Sequence, residues 1–155
     1  MDAARPVTDD TAMDRALVLA AEAAAAQEIP VGAVVLGADG RILAEGRNNR
    51  EETADPTGHA EIVALRAAAA AQGSWNLTGC TLVVTMEPCV MCAGAILQSR
   101  VARVVFGAWD DKAGAAGSRY DVLRDRRLPY RAEVVGGVRE DEAVEQLRAF
   151  FAERR

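Results

Sequence analysis

Apolar side chains recur at helical spacing over residues 9–27, DDTAMDRALVLAAEAAAAQ, where Met13, Ala16, Leu17 and Ala20 share one face. Acidic residues crowd the start of this stretch, where they suit the positive end of a helix dipole. The period then shortens. VGAVVL (31–36) and RILAEG (41–46) flank the turn pair Asp39-Gly40 and predict a β-hairpin. After a polar loop over 47–56, a second helical pattern runs from about Thr57 to Gln72 and stops at Gly73, a residue suited to a left-handed helix end. CTLVVTM (80–86) has the continuous apolar run of a buried strand, and a helix is expected from Pro88 or Cys89 to Ser99. ARVVFGA (102–108) predicts another strand, DKAGAAGS (111–118) a flexible loop, and AEVVGG (132–137) an edge strand. The last helix, 140–153, carries Val144, Leu147, Phe150 and Phe151 on one face.

The order is α-β-β-α-β-α-β-(α)-β-α, with no repeat, linker or break in composition. It predicts a single domain over residues 1–155, an α/β/α sandwich with parallel, right-handed strand–helix–strand units. The alanine runs read as good helix formers. In such sheets reactive groups gather beyond the carboxyl ends of strands, where helices begin. Cys89 sits at one such junction.

Composition narrows the setting. Half of the residues are apolar and 26% are charged, as in an ordinary globular protein. Three cysteines cannot form a fully paired disulfide framework, which favours a reducing compartment. The N-terminus, MDAARPVTDDTAMDR, is acidic and lacks a continuous apolar core, so it does not read as a signal peptide. No stretch approaches the ~20 apolar residues of a membrane span, and a cytoplasmic protein is expected.

The net charge of −5 weighs against a nucleic-acid partner, but it is unevenly spread. Residues 1–61 carry 5 basic and 12 acidic side chains, whereas residues 98–131 carry 8 basic and 4 acidic. That basic stretch is compatible with a short, site-specific phosphate contact.

The chemistry centres on MEPCVMC (86–92). Two cysteines at this spacing can be a redox pair, half of a structural zinc knuckle, or part of a catalytic metal site. A CxxC opening a helix after a strand is also the thioredoxin arrangement, so the spacing alone leaves redox and metal chemistry level. His59, the only histidine, breaks the tie: it stands in GHAE at another helix start, with Glu61 two positions on. His59, Cys89 and Cys92 make three ligands. A structural zinc site has four protein ligands, whereas a catalytic one has three and a water. Cys80 lies at the wrong end of its strand, since five steps from Cys80 to Thr85 span roughly 16 Å, and it reads as a small buried residue. The site is left open.

Two thiolates and an imidazole suit Zn²⁺, and an open zinc site lowers the pKa of its water to about 7. Glu61 is the candidate general acid and base. Residues i and i+2 of a regular helix face different ways, so His59 and Glu61 converge only in an opening turn. Asp55 or Thr57 as cap, with Pro56 near the first helical position, predicts a start there.

With HAE (59–61) followed by PCVMC (88–92), the sequence resembles the zinc-dependent nucleoside deaminases, whose signature is H-x-E…P-C-x-x-C. Within that superfamily it looks most like the bacterial tRNA-specific adenosine deaminases. The similarity runs through IPVGAV (29–34), the Asn48 loop, DPTGHAEIVALR (55–66), TMEPCVMCAGAILQSR (85–100) and VVFGAWDDKAGAAGS (104–118). The resemblance implies a cytidine-deaminase-like α/β/α sandwich on a five-stranded mixed sheet, with one Zn²⁺ per chain held by His59, Cys89 and Cys92. It implies hydrolytic deamination of the wobble adenosine of a tRNA anticodon stem-loop to inosine, an arginine tRNA being the expected one. Zinc-bound hydroxide would attack, with Glu61 shuttling protons. It further implies that Asn48 hydrogen-bonds the base, that Ile29 and Val31 wall its pocket, and that Asp110 contacts the strand beside the flipped nucleotide. A homodimer is implied as well.

Three departures stand out. Met86 replaces an expected leucine, a volume-conserving change. Trp109 occupies a place where the family often has a polar residue, and could stack on a base or simply pack. The tail is short, ending at Arg154-Arg155. The competing readings are a deaminase of a free nucleobase or nucleoside (guanine, cytosine or cytidine) and a redox or zinc module without hydrolase activity.

Overall fold

The computed structural model describes residues 6–154; the first residues of the acidic N-terminal segment lie outside them. The first helix, α1 (Asp9–Ala25), begins where expected, because the Thr8 hydroxyl accepts a hydrogen bond from the Thr11 amide at 3.1 Å and caps it. β1 (Gly32–Leu36) and β2 (Ile42–Arg47) form the hairpin, with a bulge between Val35 and Leu36 and Gly40 at φ +79° in the turn. After α2 (Ala60–Gln72) come β3 (Thr81–Met86), α3 (Val90–Gln98), β4 (Arg103–Ala108), β5 (Glu133–Val135) and α4 (Glu140–Ala152).

The strands lie in the order β2-β1-β3-β4-β5. β1 runs antiparallel to both β2 and β3, while β3–β4 and β4–β5 pair in parallel, so the sheet is mixed. Helices α1 and α4 pack on one face and α2 and α3 on the other. One apolar core joins α1 to the sheet through Met13, Ala16, Val34, Val83 and Val105. The other joins α2 and α3 to it through Leu65, Leu82, Val84, Ile96 and Phe106. Together these layers make the expected three-layer sandwich.

The alanine runs do more than favour helix. A Cβ on Gly32 would lie 2.1 Å from the Ala16 carbonyl oxygen, and one on Gly46 would lie 2.6 Å from the Ala64 amide nitrogen. Helices α1 and α2 therefore rest backbone-close on the sheet, which requires small side chains on both partners.

Three expectations need correction. Helix α2 starts at Ala60 with His59 as its N-cap, not at Asp55 or Thr57. Asp55 instead closes a turn, accepting from the Thr57 amide and hydroxyl at 2.9 and 2.8 Å. No helix forms between β4 and β5. There, residues 109–132 run as turns with two isolated bridges, Cys89–Gly114 and Ala116–Asp121. Finally, α4 does not bury its four large apolar residues together: Phe150 is buried, whereas Val144 and Phe151 are exposed. Among the described residues no helix is long and apolar enough to cross a membrane.

Candidate active site

His59 and Cys89 occupy equivalent places, each the N-cap of its helix with extended backbone and with no side-chain capping hydrogen bond. A cap residue usually spends its side chain on the first turn. Here both turn away toward each other, and Cys92, in the first turn of α3, joins them from below. His59 Nδ1 lies 3.6 Å from Cys89 Sγ and 3.5 Å from Cys92 Sγ. The three donor atoms fall within 4.8 Å of one another, close enough to share one metal ion.

The donor chemistry fits zinc. A hydrogen bond from Cys92, with another from His59, holds the Cys89 thiol down at about 4 against the burial that opposes it, so this sulfur is a thiolate. The Cys92 thiol is pushed up by its bond to Cys89 and by burial, so without a metal the proton of the pair stays on Cys92. The bond to Cys89 also raises the His59 pKa. A dication in place of that proton would satisfy both sulfurs at once. Cys80 is buried at the far end of β3, outside the cluster, and burial raises its thiol pKa.

Glu61, one residue into α2, is only 4% exposed, and burial pushes its carboxyl up to about 7. It converges with His59 because His59 precedes the helix, so the regular i,i+2 divergence does not apply. Both line a cavity of about 270 Å³ together with Ile29, Val31, Asn48, Cys89 and Asp110. Every residue expected at the site thus lines this cavity except Cys92, which is fully buried yet still meets His59 in the cluster.

Asn48 does two things. Its amide nitrogen donates to the Ile29 carbonyl and its oxygen accepts from the Arg50 amide, both at 3.3 Å, yet it still stands on the cavity wall. One Asp110 carboxylate oxygen accepts from the Lys112 and Ala113 amides at 3.1 and 3.2 Å, capping the turn that carries it.

Several residues were missed in the sequence. Arg50, Leu147 and Phe151 also line the cavity, and so does Met86, whose replacement of leucine therefore lies at the site and not in neutral core. Glu28 is buried and accepts from the Glu51 and Glu52 amides at 3.0 and 2.8 Å, holding the loop that follows Asn48. A carboxylate inside an apolar run (Glu28 before IPVGAV, Glu87 within TMEPC) was the available signal. Trp109 packs edge-on against Phe106, ring centroids 4.8 Å apart, and leans over Gly136.

Half of the basic stretch is engaged within the fold. Arg103 forks onto Asp9 at 2.7 and 2.6 Å, Arg124 pairs with Asp121, and Arg127 pairs with Asp125. Arg100 stacks on Tyr130, 3.5 Å from the ring centroid, with Trp75 beyond. Lys112, Arg119, Arg126 and Arg131 form no ion pair among the described residues, and Arg131 donates only to the Arg126 carbonyl, at 3.0 Å.

Residues 6–108 match the family of the cytidine and deoxycytidylate deaminase zinc-binding region. The chain belongs to that family. This deaminase-family chain is 48% identical over its full length to the tRNA-specific adenosine deaminase of Haemophilus influenzae, of which it covers 91%. It is 56% identical over 94% of its length to the tRNA(Ile)-lysidine synthase of Deinococcus deserti, but spans only 27% of that protein. Among solved structures it superposes with a TM-score of 0.84 on a protein from work on A-to-I editing by tRNA:A34 deaminases, at 40% identity, covering 88% of this chain and 98% of that one. The guanine deaminase of Nitrosomonas europaea also superposes at 0.84, with 26% identity over 97% of this chain and 88% of that one. The five-stranded deaminase fold expected from the resemblance is thus present, and the zinc-binding domain belongs to the family.

Proposed function

We propose that this chain, as a single domain, deaminates adenosine to inosine at the wobble position of a tRNA anticodon loop. The observation that carries the reading is the convergence, in one base-sized cavity, of the His59–Cys89–Cys92 cluster, the buried Glu61 and the Asn48 amide. A volume of about 270 Å³ falls below the ~300–1,000 Å³ of pockets for drug-sized ligands. It suits one extruded ring, with the rest of the nucleotide outside. The likeness to tRNA deaminases in sequence and fold supports the same substrate.

His59, Cys89 and Cys92 would hold one Zn²⁺, which would supply acidified water by lowering its pKa to about 7. Glu61 takes a proton from the water as its oxygen adds to C6 of adenine, and gives a proton to the amino nitrogen as the C6–N bond breaks. Water enters and ammonia leaves. A pKa near neutrality suits a group that must both accept and donate. Asn48 orients the base through the donor and acceptor capacity its loop contacts leave free, and Ile29 and Val31 flank the ring. Asp110 meets the strand beside the flipped nucleotide.

An arginine tRNA is the proposed substrate, the cytoplasm the compartment, and a homodimer the working form. Exposed Trp75, Val90 and Met91 on the α2–α3 side support such an association.

The test is conversion of an arginine-tRNA anticodon stem-loop by zinc-loaded protein, read by nucleoside mass spectrometry beside free adenosine, guanine and cytosine. Inosine from the stem-loop supports the proposal. Turnover of guanine alone would overturn it in favour of the second reading, which the superposition on guanine deaminase motivates.

A further inference from the structure

Glu87 follows β3, stands two residues before Cys89, and takes no part in the chemistry above. It is 3% exposed. Its Oε1 accepts from the Asp110 amide at 2.9 Å, and its Oε2 accepts from the Ala116 and Ser118 amides at 2.9 and 3.1 Å. The Ser118 hydroxyl lies 2.6 Å from Oε1 and 2.7 Å from the Asp110 carbonyl, and donates its one proton to either. A carboxylate offers about four lone-pair sites, and here they face the two ends of one loop. The same loop is stitched to the cysteine turn: the Ala115 amide donates to the Pro88 carbonyl at 2.7 Å, and Gly114 bridges to Cys89. Only glycine fits at 114, because a Cβ there would come within 2.3 Å of the Glu87 carboxylate.

We propose that Glu87 is a positioning residue for the substrate strand. Its carboxylate fixes the loop 110–118, and with it Asp110, at a set distance from Cys89. The rim is then already formed when the nucleic acid arrives, and binding does not bear the entropy of ordering it. This rests on the reading that Asp110 meets the substrate strand. Glutamine at 87 keeps one acceptor oxygen, but its NH₂ faces backbone N–H groups and leaves a loop amide without an acceptor. The metal cluster itself is untouched, since no Glu87 atom bonds to it.

The experiment compares Glu87→Gln, Ser118→Ala and Asp110→Ala as zinc-loaded full chains, measuring KM and kcat on the stem-loop, with zinc content by mass spectrometry. Glu87→Gln is expected to raise KM by about tenfold, the scale of one charge-assisted hydrogen bond. Its kcat and zinc content should stay near wild type. Ser118→Ala, which removes only an exposed hydroxyl, should raise KM by about threefold, and it decides the matter if Glu87→Gln does not fold. If Asp110→Ala raises KM while the other two do not, the positioning role is wrong and the substrate reading stands. Loss of zinc in Glu87→Gln with no effect of Ser118→Ala also overturns it, leaving Glu87 as a brace for the metal turn. If Asp110→Ala is itself silent while the stem-loop is still turned over, the reading that Asp110 meets the substrate strand fails and takes this inference with it.

Discussion

Glu61→Gln separates chemistry from stability. The carboxyl sits buried with a folded-state pKa of about 7, against 4.5 for the ordinary group, because burial disfavours its charged form. A raised carboxyl pKa means the fold prefers the neutral form. Its contribution to stability is therefore intact below about pH 4.5, and is lost as pH rises through about 7. At pH 8 the unfolded chain ionises freely while the folded chain holds the charge in a poor environment. That gap costs the metal-free protein about 3 kcal/mol, and under about 1 kcal/mol at pH 5.

Glutamine has the same shape and no charge to bury. Metal-free Glu61→Gln should then exceed wild type in Tm by about 6–12 °C at pH 8, at ~2–4 °C per kcal/mol for a chain of this size, and by little at pH 5. The assay is differential scanning calorimetry of metal-free wild type and variant at both pH values. In the zinc-loaded form the variant should keep its metal and lose about a hundredfold or more in kcat, the worth of a positioned proton donor and acceptor. Equal Tm values at pH 8, or the same gain at both pH values, would refute the buried-charge argument. Turnover within tenfold of wild type would remove Glu61 from the chemistry.

Cys89→Ser, read by zinc content, should lower metal from about one per chain toward none, because a hydroxyl at a helix start is not ionised as the thiol is. Gly32→Ala drives a methyl into the Ala16 backbone and should destabilise the fold by about 3 kcal/mol or abolish folding, measured by urea unfolding. A loss below about 0.5 kcal/mol would mean α1 can lift off the sheet. Asp9→Asn breaks the forked pair with Arg103 and should cost about 1 kcal/mol at pH 7. The hydrogen bonds from Arg103 hold the Asp9 carboxyl below its usual value. The wild-type advantage is therefore present above about pH 4 and disappears as acid protonates the carboxylate. Urea midpoints at the two pH values check the sign.

Much of the fold and the metal cluster was legible in the residues alone. Periodicity separates helix from strand because side chains repeat every 3.6 residues in one and every two in the other. Glycine and proline mark the ends, and the spacing of His59, Cys89 and Cys92 states a ligand set that only a folded sheet can assemble. What was not legible depended on contacts between distant segments. The start of α2 moved to His59 because Asp55 found a nearer partner in Thr57, and competing local hydrogen bonds of that kind leave no periodic trace. Phe151 and Leu147 look like core on the helix, yet they line the cavity, since α4 packs on β3 and β4, the strands that lead to Cys89 and Asp110.

The basic stretch shows the same divide: a count of charges cannot say that Arg103 is committed to Asp9 or Arg100 to Tyr130. Glu28 and Glu87 show it most plainly. In sequence each is one acidic residue among apolar neighbours. Burial gives each a strong reason to collect backbone amides, and only the tertiary fold decides that those amides belong to the loops on either side of the cavity.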